Sequence, residues 1–193
     1  TMSAVGFANA PVSKGVIILT TLASLGASAA KAGTLGPLSL NALLGKKELW
    51  RVVTYQLAFS SAGELVIGIL LLYTLRQFER HWGSRKFGAF IVISKIFSFL
   101  IGSSALLWHR ASNPSATLNL AAGPYGVIFA GLVQYHFDIP VSVPINIMGV
   151  QLSNKTLTYL FAAQLTASSS SSSLITSAAG ILAGILYRVN FLG

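Results

Sequence analysis

The sequence predicts an all-α membrane protein, a single bundle of six transmembrane helices, and three observations carry that expectation. Hydrophobic residues make up 53% of the 193-residue chain. Charged residues are only 9%, against about 25% in a soluble domain. The basic residues mostly flank the apolar runs. A surface with so little charge has lipid as its natural solvent, and this length can fold as one bundle of several spans. Cysteine is absent, which excludes disulfides and thiolate chemistry. The formal charge of +9 would suggest nucleic acid in a soluble protein. Beside apolar runs it fits membrane topology and anionic headgroups instead, so the bilayer is the expected partner and nucleic acid is not.

The elements follow in chain order. The first 13 residues lack the basic start of a secretory signal, which leaves membrane delivery to the first span, about 15–30. That span is short and rich in Ala, Ser and Thr, a composition that favours contact with other helices over bulk lipid. A long connection containing "LGKKELWRVVTYQLAFSS" suits the headgroup level, where Trp50 and Tyr55 are favoured. The second span, about 60–78, runs into "RQFERHWGSRKF", the most charged stretch of the chain. The third, about 87–107, carries Lys95 near its middle, where an ammonium must face protein, water or a partner. Trp108 opens a polar loop as an interfacial anchor. The fourth span is about 124–137, followed by a proline-broken connection, and the fifth about 155–167. Six serines, Ser168 to Ser173, read as a low-complexity joint before the last span at about 174–192.

Orientation follows from the basic residues. With a cytosolic N-terminus, Lys14, Arg76, Arg80, Arg85, Lys86, Lys155 and Arg188 fall inside. Lys31, Lys46, Lys47, Arg51 and Arg110 fall outside. Four of the inside residues share one short loop, so cytosolic N- and C-termini are expected. The sequon at Asn154 then lies in the cytosol and stays unused.

Two glycine patterns stand out. "AAGPYGVIFAGL", residues 121–132, sets Gly123 and Gly126 in a turn that leads into a small-residue helix. Such a turn could hold a nucleophile on top of a helix, but the residue before the second glycine is Tyr125. "ITSAAGILAGILYR" places Gly180 and Gly184 four residues apart on one helix face, where another backbone can approach closely. Glu64, Glu79 and Asp138 are scattered over different helix ends, so no metal or cofactor is expected. Glu79 is expected to pair with Arg51 or another arginine nearby.

Taken in order, "LWRVVTY", "ERHWGSRKF", "GPYGVIF" and "SAAGILAGILYR" resemble the rhomboid superfamily over essentially the whole chain. The likeness is greatest to the rhomboid-like, derlin-related pseudoproteases that carry a ubiquitin-associated domain. It maps the Trp-Arg pair of the first loop onto Trp50 and Arg51, and the Glu-Arg and Gly-Ser pairs onto Glu79, Arg80, Gly83 and Ser84. The nucleophile position falls on Tyr125 and the general-base position on Ser177. A phenol with a pKa near 10 and no adjacent base is a poor nucleophile. A serine does not take a proton at neutral pH as imidazole does. His81, His109 and His136 all sit in loops or helix ends, so none restores the pair. The resemblance therefore implies a pseudoprotease with no catalytic residue and no cofactor.

The same resemblance implies endoplasmic reticulum residence and a role in protein degradation there. Membrane protein clients, a membrane ubiquitin ligase and a segregase adaptor are the implied partners. It also implies that the Trp50–Arg51 loop dips into the bilayer, and short spans would thin the membrane further. No ubiquitin-associated domain is expected within residues 1–193. A structural subunit of a larger membrane complex is the competing reading, with Lys95 and the small-residue faces seeking neighbours. An active protease is disfavoured by the missing dyad, and no symmetry of two halves suggests a transporter.

Overall fold

A computed structural model of the chain describes residues 9–29, 38–39, 54–113, 119–140, 145–147, 150–168 and 171–189. Six helices are present among them: α1 Pro11–Ala29, α2 Ala62–Trp82, α3 Ser84–Ser112, α4 Tyr125–Asp138, α5 Asn154–Ala167 and α6 Ser171–Tyr187. Local chemistry sets several of their ends. Pro11 opens α1, where a missing N–H costs nothing. Ser153 and Thr156 form a reciprocal capping box at the start of α5. Gly83, at φ +84°, separates α2 from α3 by a single residue and donates its N–H to Glu79 O. Only glycine adopts that backbone freely.

Short strands tie the connections. β1 (Leu38–Ser39) pairs antiparallel with β2 (Asn119–Leu120), and β3 (Ile145–Ile147) with β4 (Val150–Leu152). The second pair occupies the connection expected to be merely proline-broken. α3 continues through Trp108 to Ser112, so Trp108 is an exposed residue of the last helical turns and not of a loop. The serine run is not a plain joint either. Ser171 to Ser173 are already helical, and Ser173 is buried with its hydroxyl donating to Thr166 O.

Helix α4 is the axis of the bundle. Every residue from Ala121 to Leu132 is buried. A Cβ at Gly131 would lie 2.6 Å from Leu75 of α2, and one at Gly126 would lie 2.6 Å from Cβ of Ser98 of α3. On the α6 face the atoms met include backbone. A Cβ at Gly184 would sit 2.8 Å from the Cα and O of Ala130, and one at Gly180 would sit 3.1 Å from Tyr125 O. The paired glycines thus let two backbones touch, as their spacing predicts.

What the helices expose is as informative as what they bury. α1 buries Ser13, Thr20 and Ser24 and leaves Ile18, Leu19, Leu22 and Leu25 open, Leu22 at 63% exposure. The expectation that α1 sits mainly against other helices is therefore corrected. It packs by a narrow polar stripe, because small side chains allow close approach, and most of its apolar surface faces outward. α3 repeats the pattern, burying Ser94 and Ser98 while exposing Val92, Ile96 and Leu100. That arrangement would be costly in water and suits lipid. By length and composition α1 and α3 are the two described helices able to cross a bilayer, with mean hydropathies of 1.4 and 2.0 over their best windows. α4 and α5, at 14 residues each, are about 21 Å long at 1.5 Å per residue.

One end of the bundle gathers the basic side chains. Glu79 of α2 reaches the start of α1, and a cleft joins Arg80 and His81 to Asp138. Asp138 pairs with Arg188, and Lys155 donates to His136 O. Lys14, Arg76, Arg80, Arg85, Lys86, Lys155 and Arg188 accordingly share that end.

Replacing Gly184 by Val is expected to destabilise the bundle by about 1–3 kcal/mol through overpacking. Gly88→Ala, where a Cβ would meet nothing within 4 Å, is expected to be neutral or to gain up to about 1 kcal/mol. Unfolding midpoints of both variants in one detergent check the contrast.

Candidate functional site

The turn before α4 is built by the backbone. Gly123 has φ +132° and donates its N–H to Tyr55 O at 2.7 Å. A Cβ there would collide with the Phe59 ring at 2.6 Å. Ala121 N donates to Thr176 Oγ1 of α6 at 3.0 Å. Phe59 N in turn donates to Ser24 Oγ of α1. The turn is thus fixed from three sides before any side chain at its tip is considered.

That tip residue is Tyr125, fully buried. Its ring stacks on Phe129 with centroids 6.3 Å apart and meets Phe59 edge-on at 5.8 Å. Its hydroxyl lies 3.3 Å from Ser168 Oγ, which is 3.1 Å from Glu64 Oε1. A phenol donating to Ser168, with Ser168 donating onward, links α4 to the end of α5 and the start of α2. The ring fills space and the hydroxyl is engaged.

Ser177 lies one helical turn before Gly180, the residue that abuts Tyr125 O, so α6 brings this position to the Tyr125 region. Its hydroxyl donates back into its own helix, 2.7 Å from Ser173 O and 3.1 Å from Leu174 O. This use is common for serine inside helices, and the described bonds of the Ser177 hydroxyl run to its own helix and not to Tyr125. His81, His109 and His136 sit in the last turns of α2, α3 and α4.

Glu79 is the second organised feature. It is 1% exposed, and its carboxylate accepts from Val12 N at 2.8 Å, Ser13 N at 2.7 Å and Ser84 Oγ at 2.8 Å. Negative charge at a helix N-terminus is favourable because the first N–H groups there have no helical acceptor. Glu79 therefore caps α1 from α2 and clamps the start of α3, where sequence reasoning expected an arginine pair. Burial alone would raise its pKa, but hydrogen bonds from Ser13, Val12 and Ser84 outweigh it and hold the carboxyl below its ordinary value. Arg80 lines the neighbouring cleft with Asp138.

Trp50 and Arg51 lie outside the described residues. A cluster that sequence reasoning missed joins α4 to α6 below the glycine seam. Gln134, fully buried, donates to Gly184 O at 2.9 Å. Arg188 donates to Gln134 Oε1 at 3.2 Å and to Asp138 Oδ1 at 2.7 Å. Gln134 and Asp138 sit four residues apart on α4, as Gly184 and Arg188 do on α6. That matched i, i+4 spacing was the available signal. Ser168 was also passed over, as a member of the serine run.

An all-helical integral membrane protein with a plugged turn where a nucleophile could sit is the class these features define. The family described as eukaryotic integral membrane protein (DUF1751) matches residues 13–189, and the chain belongs to it. Rhomboid-like protein 18 of Arabidopsis thaliana is 37% identical over 188 residues, covering 97% of this chain and 64% of that protein. Ubiquitin-associated domain-containing protein 2 of Homo sapiens is 29% identical over 94% of this chain and 54% of its own length. DSC E3 ubiquitin ligase complex subunit 2 of Schizosaccharomyces pombe is 26% identical over 78% of this chain and 40% of its own. The likeness to rhomboid-like proteins read from the motifs is therefore real. The chain spans between about half and two thirds of the plant and human relatives.

Two outcomes follow for the site. Because the folded-state pKa of Glu79 is depressed, its stabilisation is full at neutral pH and is lost as pH falls below the ordinary carboxylate range. The unfolding midpoint should drop on acidification from pH 7 to 3, and Glu79→Gln should lower it at pH 7 while flattening that dependence. Tyr125→Phe is expected to cost about 1 kcal/mol for the lost hydrogen bond. Tyr125→Ser should cost about 3–5 kcal/mol for the cavity. The same unfolding titration reads both.

Proposed function

We propose that this chain is the membrane domain of a catalytically inactive rhomboid-like protein, six helices crossing the bilayer, that binds membrane clients within a ubiquitin ligase complex of the endoplasmic reticulum. The observation that carries the inactive reading is the pairing of Tyr125, buried and hydrogen-bonded, with Ser177, whose hydroxyl is taken by its own helix. Acyl transfer needs a nucleophile with a base beside it, and neither residue meets that need. The positions assigned to the lost dyad rest on the motif resemblance, and the approach of α6 to the turn supports them. Residues 1–193 are read as one transmembrane domain without a ubiquitin-associated unit.

The ligase setting is supported by the names of two relatives, one carrying a ubiquitin-associated domain and the other a ligase complex subunit. Clients, a membrane ligase and a segregase adaptor are the partners this reading requires. The end that holds Lys14, Arg85, Lys86, Lys155 and Arg188 faces the cytosol in it, because short loops rich in lysine and arginine stay inside. Trp50 and Arg51 are proposed to sit at the headgroup level of the opposite face. The short α4 and α5 support local thinning of the bilayer, which would ease movement of a client span. Lys95, half-buried on α3, is the reason to retain a second reading, a structural subunit of a larger assembly.

Purification from native membranes in mild detergent, with companions identified by mass spectrometry, tests the function. A membrane ubiquitin ligase with its segregase adaptor is expected; a stoichiometric complex lacking both would favour the structural-subunit reading. A serine-reactive fluorophosphonate is expected to leave the folded protein unlabelled. Labelling that maps to Ser177 would overturn the inactive reading.

A further inference from the structure

An apolar groove of about 610 Å³ opens between α4, α5 and α6 at the basic end of the bundle. Phe129, Val133, Ala162 and Ile185 form its walls, and His136, Tyr159 and Arg188 stand at its mouth. We propose that this groove is a binding site for one anionic phospholipid, its acyl chain between the walls and its phosphate at Arg188 and Lys155. The inference needs only the fold and is independent of the pseudoprotease reading.

Charge complementarity selects the occupant. Both described hydrogen bonds of Arg188 come from Nη1, to Gln134 and Asp138. A guanidinium has five N–H donors, and the others remain for a phosphate. Asp138, the acid nearby, lines the separate cleft with Arg80 and His81 and not this groove. Its carboxylate holds Arg188 in place through the 2.7 Å ion pair. Lys155 Nζ donates to His136 O at 2.9 Å, which sets a second cation beside a residue that lines the groove. His136 Nδ1 is 2.9 Å from Tyr159 OH and joins α4 to α5 across the opening. The opening thus has two cations nearby, and the one acid, Asp138, compensates Arg188. An apolar trough beside one net positive charge matches a lipid with an anionic head, and a net-neutral headgroup would leave that charge unbalanced.

The test uses the purified full chain in mixed micelles, with bound lipids counted by native mass spectrometry. Phosphatidylserine and phosphatidylcholine of identical acyl chains are the probes. One phosphatidylserine per chain is expected, held at least several-fold more tightly than phosphatidylcholine. Lys155→Gln should weaken phosphatidylserine about fivefold, the usual effect of one surface cation, while Lys86→Gln should leave it unchanged. Ile185→Trp, at a position 44% exposed, should fill the groove and abolish retention without lowering the unfolding midpoint of lipid-free protein. Equal affinity for the two lipids would overturn the proposal, as would full retention by Ile185→Trp. So would a photoreactive residue at position 185 that crosslinks in native membranes to a partner's helix instead of to lipid.

Discussion

Two backbones meet where α4 crosses α6, and the positions of the surrounding parts follow from that approach. Inside a bilayer the tails are as apolar as leucine, so association depends on close packing and on hydrogen bonds between helices. Gly180 and Gly184 supply the packing, since a Cβ at either would press on Phe129, Tyr125 O or Ala130. The bond from Gln134 to Gly184 O and the bond from Ala121 N to Thr176 exist only while that separation holds. With α6 in place the turn before α4 is fixed, and α2 and α3 close on the other faces of α4 through Leu75 and Ser98.

The state of the turn at Tyr125 follows from the same geometry. A turn held by Tyr55, Phe59 and Thr176 places position 125 at the centre of the bundle, and a tyrosine there closes the space with its ring. Polar demands are met locally, by Ser168 for the phenol and by the helix carbonyls for Ser177. The described carboxylates lie at helix ends, among them Glu79 on the first N–H groups of α1 and Asp138 with Arg188 below α4. Such placement lets a membrane-embedded fold keep ionised groups without exposing them to hydrocarbon.

Much of this was legible in the sequence because lipid imposes simple patterns. The six described helices, the glycine pair on α6, the turn at Gly123 and Gly126, and the basic residues gathered at one end could all be read from spacing and composition. The role of Glu79 could not. A carboxylate near arginines suggests an ion pair, whereas its described partners are two N–H groups 66 and 67 positions earlier and the Ser84 hydroxyl. The serine run misled for a related reason. Low complexity suggests a joint, but helix formation and burial are decided by the neighbouring α5 and α4, which recruit Ser168 and Ser173. For α1, composition named the right residues and the wrong proportion: serine and threonine do form the contact, yet the contact is a narrow stripe. The cluster of Gln134, Asp138 and Arg188 escaped because its members are separated by about fifty positions and meet only when α4 and α6 cross.

The claim that the seam around Tyr125 and Ser177 is filled and dry is open to one direct measurement. The chain has no cysteine, so Ser177→Cys gives a single reporter beside the turn, with Ser112→Cys as an exposed reference on α3. Reaction with a water-soluble maleimide would be followed in native membranes and again after denaturation in dodecyl sulfate. A filled seam gives little or no modification at position 177 in the membrane, rapid modification at position 112, and equal reaction of both once unfolded. Modification at position 177 as fast as at position 112 in the folded protein would mean a water-filled cavity, and would contradict the closure of this site by Tyr125.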